Sequence, residues 1–365
     1  MIKTFKYRIY PNKTQQMLIQ KTFGCVRFVY NYYLDKRKTL YHNEQKSMNF
    51  YACSKNLTNL KKELVWLQEP DKWALQNTLK DLDNAYLRFF KKLTNYPKFK
   101  TKKSHYHSYR TTNTKNSIRF LNKHIRLPKL GNVKIKDKRM IEGRILYATI
   151  MQVPSGKYYC FICCGDIEIL VPPKTNQQIG IDLGLKYFAV TSDNEKIHNP
   201  TYLKKSLDKL IKLQRELSRK TRGSSNWNKM RIKVARMHEK IANQRYDFLH
   251  KLTTDLINKY DVIVIEKLCV NNMTKQYHIA RQIFDVSWFK FIQLLTYKAD
   301  WYNKRVVVID RFFPSSQLCS NCGYQNSDIK NLHIRRWICP ECNTLHDRDV
   351  NAAKNILTEG LRMIS

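Results

Sequence analysis

Acidic side chains are scarce in this sequence: 29 Asp and Glu stand against 67 Lys and Arg in 365 residues, a formal charge of +38 at pH 7. So large an excess of one sign repels itself in a compact chain unless a polyanion shares it, which makes nucleic acid the expected partner. Long apolar runs are missing too, no signal-peptide core follows Met1-Ile2-Lys3, and no lipidation motif stands at Ser365. These absences disfavour a basic membrane-surface protein and predict a prokaryotic, cytoplasmic setting. The length excludes a peptide-sized binder and allows two or three domains with cores of their own. Cys160, Cys163 and Cys164 lie in YYCFICCG, which alternates like a buried strand and has no second cysteine pair to complete a site. They read as reduced thiols in a core rather than as disulfides.

One stretch does carry metal chemistry. Cys319 and Cys322 form one C-x-x-C, Cys339 and Cys342 another, and 16 residues separate the pairs, the spacing of a tetrahedral zinc ribbon. Gly323 and Pro340 beside the pairs suit tight knuckles. Four thiolates complete the coordination of one Zn2+, which makes the expected ion structural. Asp347, Arg348, Asp349 and the helix formers of 351–356 follow at once, so a metal-braced knuckle fixes where a carboxylate is presented.

In chain order, Lys3 to Tyr10 alternates polar and apolar residues and stops at Pro11-Asn12, a short strand that needs a sheet from elsewhere. From Lys13 to about Phe90 the pattern is helical, with Leu18, Ile19, Phe23, Val26 and Tyr30 on one stripe and Leu57, Leu60, Leu64 and Leu67 on another. A further helix opens at Pro70-Asp71. Its Leu75, Leu79, Leu82, Tyr86 and Phe89 face inward, while Lys72, Gln76 and Lys80 form an outward row, either docked along DNA or simply solvated. Residues 91–140 hold 16 Lys or Arg and one acid, Asp137, interleaved with Tyr96, Phe99, Tyr106, Tyr109 and Phe120: cations for phosphates and rings for unpaired bases. Strand-like runs at 118–120, 132–135, 144–153 and 158–169 supply the missing sheet.

In the second half, Ile179 to Ile181 is a buried strand that ends in Asp182, turns at Gly184 and returns over Tyr187 to Thr191. Two long amphipathic helices follow, lined by Leu203, Leu207, Leu210 and Leu217, then by Val234, Ile241, Phe248, Leu252 and Leu256, with a basic joint between them. YDVIVIE is a central parallel strand closing on Glu266, 288–302 is helical, and RVVVID is a third buried strand before the knuckle. The order makes an α/β core interrupted twice. Asp182 and Glu266 then end neighbouring strands, and Asp349 opens a helix able to pack across them. Carboxylates so concentrated repel one another unless divalent cations lie between them. Two Mg2+ or Mn2+ ions about 3.5–4 Å apart would clamp the attacking water and leaving oxygen of a phosphodiester, which predicts metal-assisted hydrolysis of DNA. Asp347 competes for the third place, but capping the helix suits it better. Arg348 either pairs with Asp347 or touches phosphate.

IGIDLGLKYFAV, SRKTRGSSNWNKMRIKVARMHEKIANQRYDFLHKL, VIVIEKL, FFPSSQLCSNCGY, CPECNTLHDRDVNAAKNI and, nearer the start, RFVYN and YPKFK together resemble the TnpB proteins of bacterial insertion sequences, relatives of the type V CRISPR nucleases. The resemblance implies an RNA-guided DNA endonuclease. Position by position it implies Asp182, Glu266 and Asp349 as the acidic triad and Cys319, Cys322, Cys339 and Cys342 as zinc ligands. It further implies an RNase H-like, RuvC-type α/β core (178–316 and 344–365) with an inserted helical hairpin and a zinc ribbon (317–343). Before it would come a wedge-like β-barrel (1–11 and 116–174) carrying a helical recognition lobe (12–115). The lobe would read a short motif beside the target through Lys72, Trp73 and Gln76, joined by Phe50, Ser54 and Thr114. A guide RNA from the mobile element would read the rest of the double-stranded DNA, with an element-encoded transposase acting alongside. Asn303 stands where relatives often have Gly, for which only a local turn effect is expected. A strand-transfer transposase using the same acids, or a catalytically silent RNA- and DNA-binding regulator, are the alternatives; the presence of all three acids disfavours the second.

Overall fold

The computed structural model describes residues 1–103, 107–137, 139–268, 277–331 and 333–365, with the backbone only at 277–279. The chain divides into two units, Met1–Glu168 and Ile169–Ser365. No described helix is long and apolar enough to cross a membrane.

In the first unit, KTFKYRIY forms β1 (Lys3–Tyr10), with Tyr7 and Ile9 buried on its inner face. Pro11 ends the ladder because it has no N–H to give. Asn12 then caps α1 (Lys13–Glu44): its side chain accepts from Gln15 N at 2.8 Å, and Gln15 Oε1 accepts from Asn12 N at 3.0 Å. The expected stripe is buried at Ile19, Phe23, Val26 and Tyr30. Asn49 caps α2 (Phe50–Glu63). In α3 (Lys72–Phe90), Leu75, Leu79, Leu82 and Tyr86 turn inward and Lys72 and Lys80 stay exposed.

The strands β2 (His107–Thr112), β3 (Arg119–Leu121), β4 (His124–Leu127), β5 (Gly131–Ile135), β6 (Arg144–Gln152) and β7 (Tyr158–Gly165) complete a seven-stranded sheet, ordered β2-β6-β7-β1-β5-β4-β3. The N-terminal strand finds its partners here: β1 runs antiparallel to β7 from Lys3↔Cys164 to Ile9↔Tyr158, and its far end pairs with β5. Two expectations need correcting. The sheet is open among the described residues, with β2 and β3 as its edges, rather than a closed barrel. Moreover, β2 comes from within the stretch assigned to the helical lobe. HSYRTT does alternate, with Tyr109 and Thr111 buried, but that signal is submerged in a run of lysines and arginines.

In the second unit, β8 (Gln178–Asp182), β9 (Tyr187–Thr191) and β10 (Lys196–His198) form an antiparallel meander. Then α4 (Tyr202–Ser218) and α5 (Ser225–Lys259) form a hairpin. They lead to β11 (Val262–Glu266), α6 (Tyr277–Val286), α7 (Trp288–Trp301) and β12 (Arg305–Ile309). The sheet order is β10-β9-β8-β11-β12, with β11 parallel to both neighbours. Period-two alternation divides its side chains: Ile263 and Ile265 join Leu256, Phe291 and Leu295 of α5 and α7 on one face. Val264, Val307 and Ile309 meet Ile356 on the other. Ile356 belongs to α8 (Arg348–Arg362), reached through the short hairpin β13 (Arg336–Ile338) and β14 (Leu345–Asp347). Two glycines let α8 lie close against the sheet: a Cβ at Gly180 would overlap Ala353 O, and one at Gly360 would overlap the Val264 side chain. Asn303 takes a left-handed φ of 51° in the turn before β12, which asparagine tolerates without glycine.

Candidate active site and metal centre

Adjacent parallel strands carry their acids to the same edge. Ile181 lies opposite Ile265, so Asp182 and Glu266, the last residues of β8 and β11, emerge side by side at the carboxyl end of the sheet, where open α/β folds place their ligands. The third acid comes from the first turn of α8. Asp347 is the N-cap, accepting from Asp349 N at 3.1 Å and Val350 N at 3.3 Å and pairing with Lys196 Nζ at 2.7 Å. That leaves Asp349 free to turn elsewhere. Asp182, Glu266 and Asp349 all line one cleft of about 430 Å³, together with Arg311, Phe312, Arg335 and Arg348.

Burial pushes the carboxyls of Asp182 and Glu266 up to about 7 each, and the charges of Asp349 and Glu266 add to the shift at Asp182. Arg335 Nη1 lies 3.3 Å from Asp349 Oδ1. Arg348 neither pairs with Asp347 nor stands exposed: it is buried and donates to Asn331 O at 2.7 Å while lining the cleft. The three carboxylates share the cleft without closing on one another. Among the described residues, only the four cysteines form a set of three or more His, Cys, Asp and Glu whose ligand atoms all lie within 4.8 Å.

Those cysteines converge as their spacing predicts. Cys319 and Cys342 sulfurs are 3.6 Å apart, as are those of Cys322 and Cys339. A tetrahedron with Zn–S bonds near 2.3 Å separates its sulfurs by about 3.8 Å, so the set fits that ion. Its surroundings were not legible from spacing. His346 Nε2 lies 3.0 Å from Cys319 Sγ, and its ring packs 4.7 Å from Trp337. Asn351 and Asn355, one turn apart on α8, both donate to Leu318 O, at 2.6 and 2.7 Å. Asn351 Oδ1 also accepts from Ser320 N at 2.9 Å. These amides bolt the first cysteine knuckle to the helix that carries Asp349; the available signal was two asparagines at i and i+4 just beyond the acids.

In the first unit, the residues expected to read a DNA motif come together in pairs. Ser54 Oγ donates to Gln76 Oε1 at 3.0 Å, Trp73 Nε1 donates to Thr114 Oγ1 at 3.1 Å, and Lys72 Nζ stands 5.6 Å from the Trp73 ring centroid. Phe50 receives Lys80 Nζ at 5.5 Å instead. Within the basic stretch, Lys115, Arg119, Arg126 and Lys129 line a cleft of about 310 Å³ with no acid in its walls. Arg119 and Arg126 lie directly opposite each other on β3 and β4, an arrangement that costs stability by itself. The expected base-stacking rings divide. Phe99 is half exposed, whereas Tyr109 is buried against Phe23, with ring centroids 5.9 Å apart, because β2 turns it inward. Phe120 packs on Tyr7 at 5.3 Å, and Tyr96 bonds to the Tyr86 hydroxyl at 3.0 Å. Tyr106 lies outside the described residues.

The comparisons with known proteins cover both units. The OrfB_IS605 family model, described as "Probable transposase", matches residues 161–276, and a "Cas12f1-like, TNB domain" model matches 288–356. A "Helix-turn-helix domain" model matches 1–46, a span that here is β1 followed by a single continuous helix. A Streptomyces pristinaespiralis protein named "Putative RNA-guided DNA endonuclease" is 39% identical over 98% of this chain and 89% of its own length. InsQ of Escherichia coli K12, which carries the same description, is 31% identical over 98% and 92%. A mimivirus protein named "TnpB-like protein L79" is 26% identical over 99% and 74%. Among solved structures, a chain from a Cas12f1, guide RNA and target DNA complex shares the fold with a TM-score of 0.59 at 13% identity, over 98% of each chain. With relatives this similar along almost its entire length, the chain belongs to the TnpB family.

Proposed function

We propose that this chain is an RNA-guided, divalent-metal-dependent DNA endonuclease of a transposable element, cutting DNA beside a short recognised motif. One observation carries the reading: Asp182, Glu266 and Asp349, from three distant stretches of chain, line the same cleft at the carboxyl end of one sheet. The names of the relatives support it. The meander β10-β9-β8 followed by parallel β11 and β12 supports an RNase H-like, RuvC-type core, interrupted by the α4–α5 hairpin and the cysteine knuckle. The open sheet of the first unit would be the wedge, and its helices the recognition lobe, where Lys72, Trp73, Gln76, Phe50, Ser54 and Thr114 read the motif.

Three carboxylates lining one cleft, two of them raised by burial, fit Mg2+ or Mn2+, whose preferred ligands are hard oxygens. When bound, such ions would supply Lewis-acid stabilisation and a nucleophilic water. The chain's own groups do the positioning. Asp182 and Glu266 hold from fixed strand ends, Asp349 holds from a helix that Asp347 caps, and Arg335 and Arg348 face the incoming phosphate.

The test is to sequence RNA that co-purifies with the protein, then to offer the complex a plasmid library bearing the matching target beside randomised flanks. Guided cleavage beside one enriched motif, abolished by RNase before target addition, is the expected result. Cutting that survives RNase with no specific RNA bound would sink the guided mechanism, and joining of transposon ends by this chain alone would indicate a strand transferase.

A further inference from the structure

The cleft has one wall that the metal chemistry does not use. After β12 the chain turns sharply. Phe312 N donates to Asp310 Oδ1 at 2.8 Å, Phe313 N donates to Asp310 O at 3.3 Å, and Phe313 packs onto the core beneath α8. The turn is thereby held from below, yet the neighbouring Phe312 ring is 76% exposed at the rim of the acidic cleft. The Arg311 guanidinium lies 4.3 Å from the ring centroid.

A single exposed phenylalanine is ordinary on a protein surface. This one differs in its surroundings, because the charged groups lining the cleft are three arginines and the three acids. An exposed ring beside cations matches a nucleotide: the ring stacks on a base and the guanidinium faces the phosphate next to it.

We propose that Phe312 and Arg311 form a nucleobase subsite that grips the base flanking the scissile phosphate and so sets which phosphodiester enters the cleft. The inference rests on the nuclease reading of the same cleft. A base stacked inside a duplex has no free face to offer, so the subsite takes a strand unpaired at the cut. Phe312 is a binding residue here, and no bond changes at it.

The test uses the RNA-loaded protein and target DNAs carrying a single abasic site at successive positions around the cut. One position should slow the wild type on the order of tenfold, the usual worth of one base–aromatic stack. Phe312→Ala should slow cutting of the intact target to the same extent and lose the abasic effect, Phe312→Tyr should restore both, and the melting temperature should not change, because the ring is exposed. Multiplying effects of Phe312→Ala and the abasic site, or no sensitive position, would overturn the subsite while leaving the nuclease reading intact. If the wild type cuts nothing, the nuclease reading has failed, and a binding arm still decides the subsite. Phe312→Trp titrated with oligo(dT) should lose indole fluorescence beyond the wild-type response, and an identical response overturns the proposal.

Discussion

The cysteine knuckle gathers its four thiols from Cys319 to Cys342 and brings every sulfur within 4.8 Å of the others. The acidic cleft takes its carboxylates from two strand ends and a helix start spread from Asp182 to Asp349, and has a volume of about 430 Å³. In the first, turn chemistry next to the cysteines makes the geometry, and the four sulfurs lie at the spacing a single Zn2+ would take. In the second, the whole α/β unit makes the geometry, and burial raises the cost of charging Asp182 and Glu266. A local site therefore survives changes elsewhere, whereas a dispersed one depends on everything that aligns its parts.

Removing one acid should break the contrast most sharply. Asp349→Ala or Asp182→Asn is expected to lower cleavage by roughly a thousandfold while guide and target binding hold; unchanged cleavage would remove the acids from the chemistry. Next in size comes the knuckle. Cys339→Ser, or a chelator strong enough to strip zinc, should lower thermal stability markedly and carry cleavage down with it, since the helix bearing Asp349 is tied to the knuckle through Asn351 and Asn355. Stripped protein that melts like the wild type would show the cysteines to be idle.

The acids should also reveal themselves through pH when divalent ions are chelated. Folding raises the pKa of Asp182 and Glu266 to about 7, so the folded state favours their protonated forms. Their contribution is complete below their ordinary carboxylate values and is lost as pH rises through about 7. The melting temperature in chelator is expected to fall between pH 5 and pH 8 by a few degrees, with Asp182→Asn flattening the fall and Mg2+ reversing it at the upper end. A flat wild-type profile would contradict the buried-carboxylate picture. Smaller still, Asp347→Ala should cost about 1 kcal/mol through its lost cap and reduce cleavage without abolishing it. Least of all, neutralising Lys115, Arg119, Arg126 or Lys129 singly should lower the log–log salt slope of nucleic-acid binding by about one unit each. A slope unchanged across all four would return that cleft to ordinary solvated surface.

Much of this was written locally in the chain. The strand ends at Asp182 and Glu266, the parallel run VIVIE and the knuckle spacing follow from periodicity and turn residues, and the cap at Asp347 from its place before a helix. What could not be read was mostly relational. Tyr109 looked like a base-stacking ring because its neighbours are basic, and only its pairing in β2 turns it into the core. The open edge of the first sheet depends on which strands meet, a long-range outcome that short alternating runs do not encode. His346 and Arg335 gained roles through partners folded back from elsewhere, where a lone histidine or arginine in sequence is more often solvent or core.

The bare positions where α8 meets the sheet have a further consequence. Because Gly180 and Gly360 leave no clearance between helix and sheet, a single methyl at either would act as a shim, lifting the helix where it sits. A shim at Gly180 would press on the middle of the helix, at Ala353 and Leu357, and carry Asp349 away from its companions, whereas one at Gly360 would rock the far end and leave the acids nearer their positions. The helix thus behaves as a lever whose height is set by atoms that are not there, and its two seats differ in how far they move the working tip.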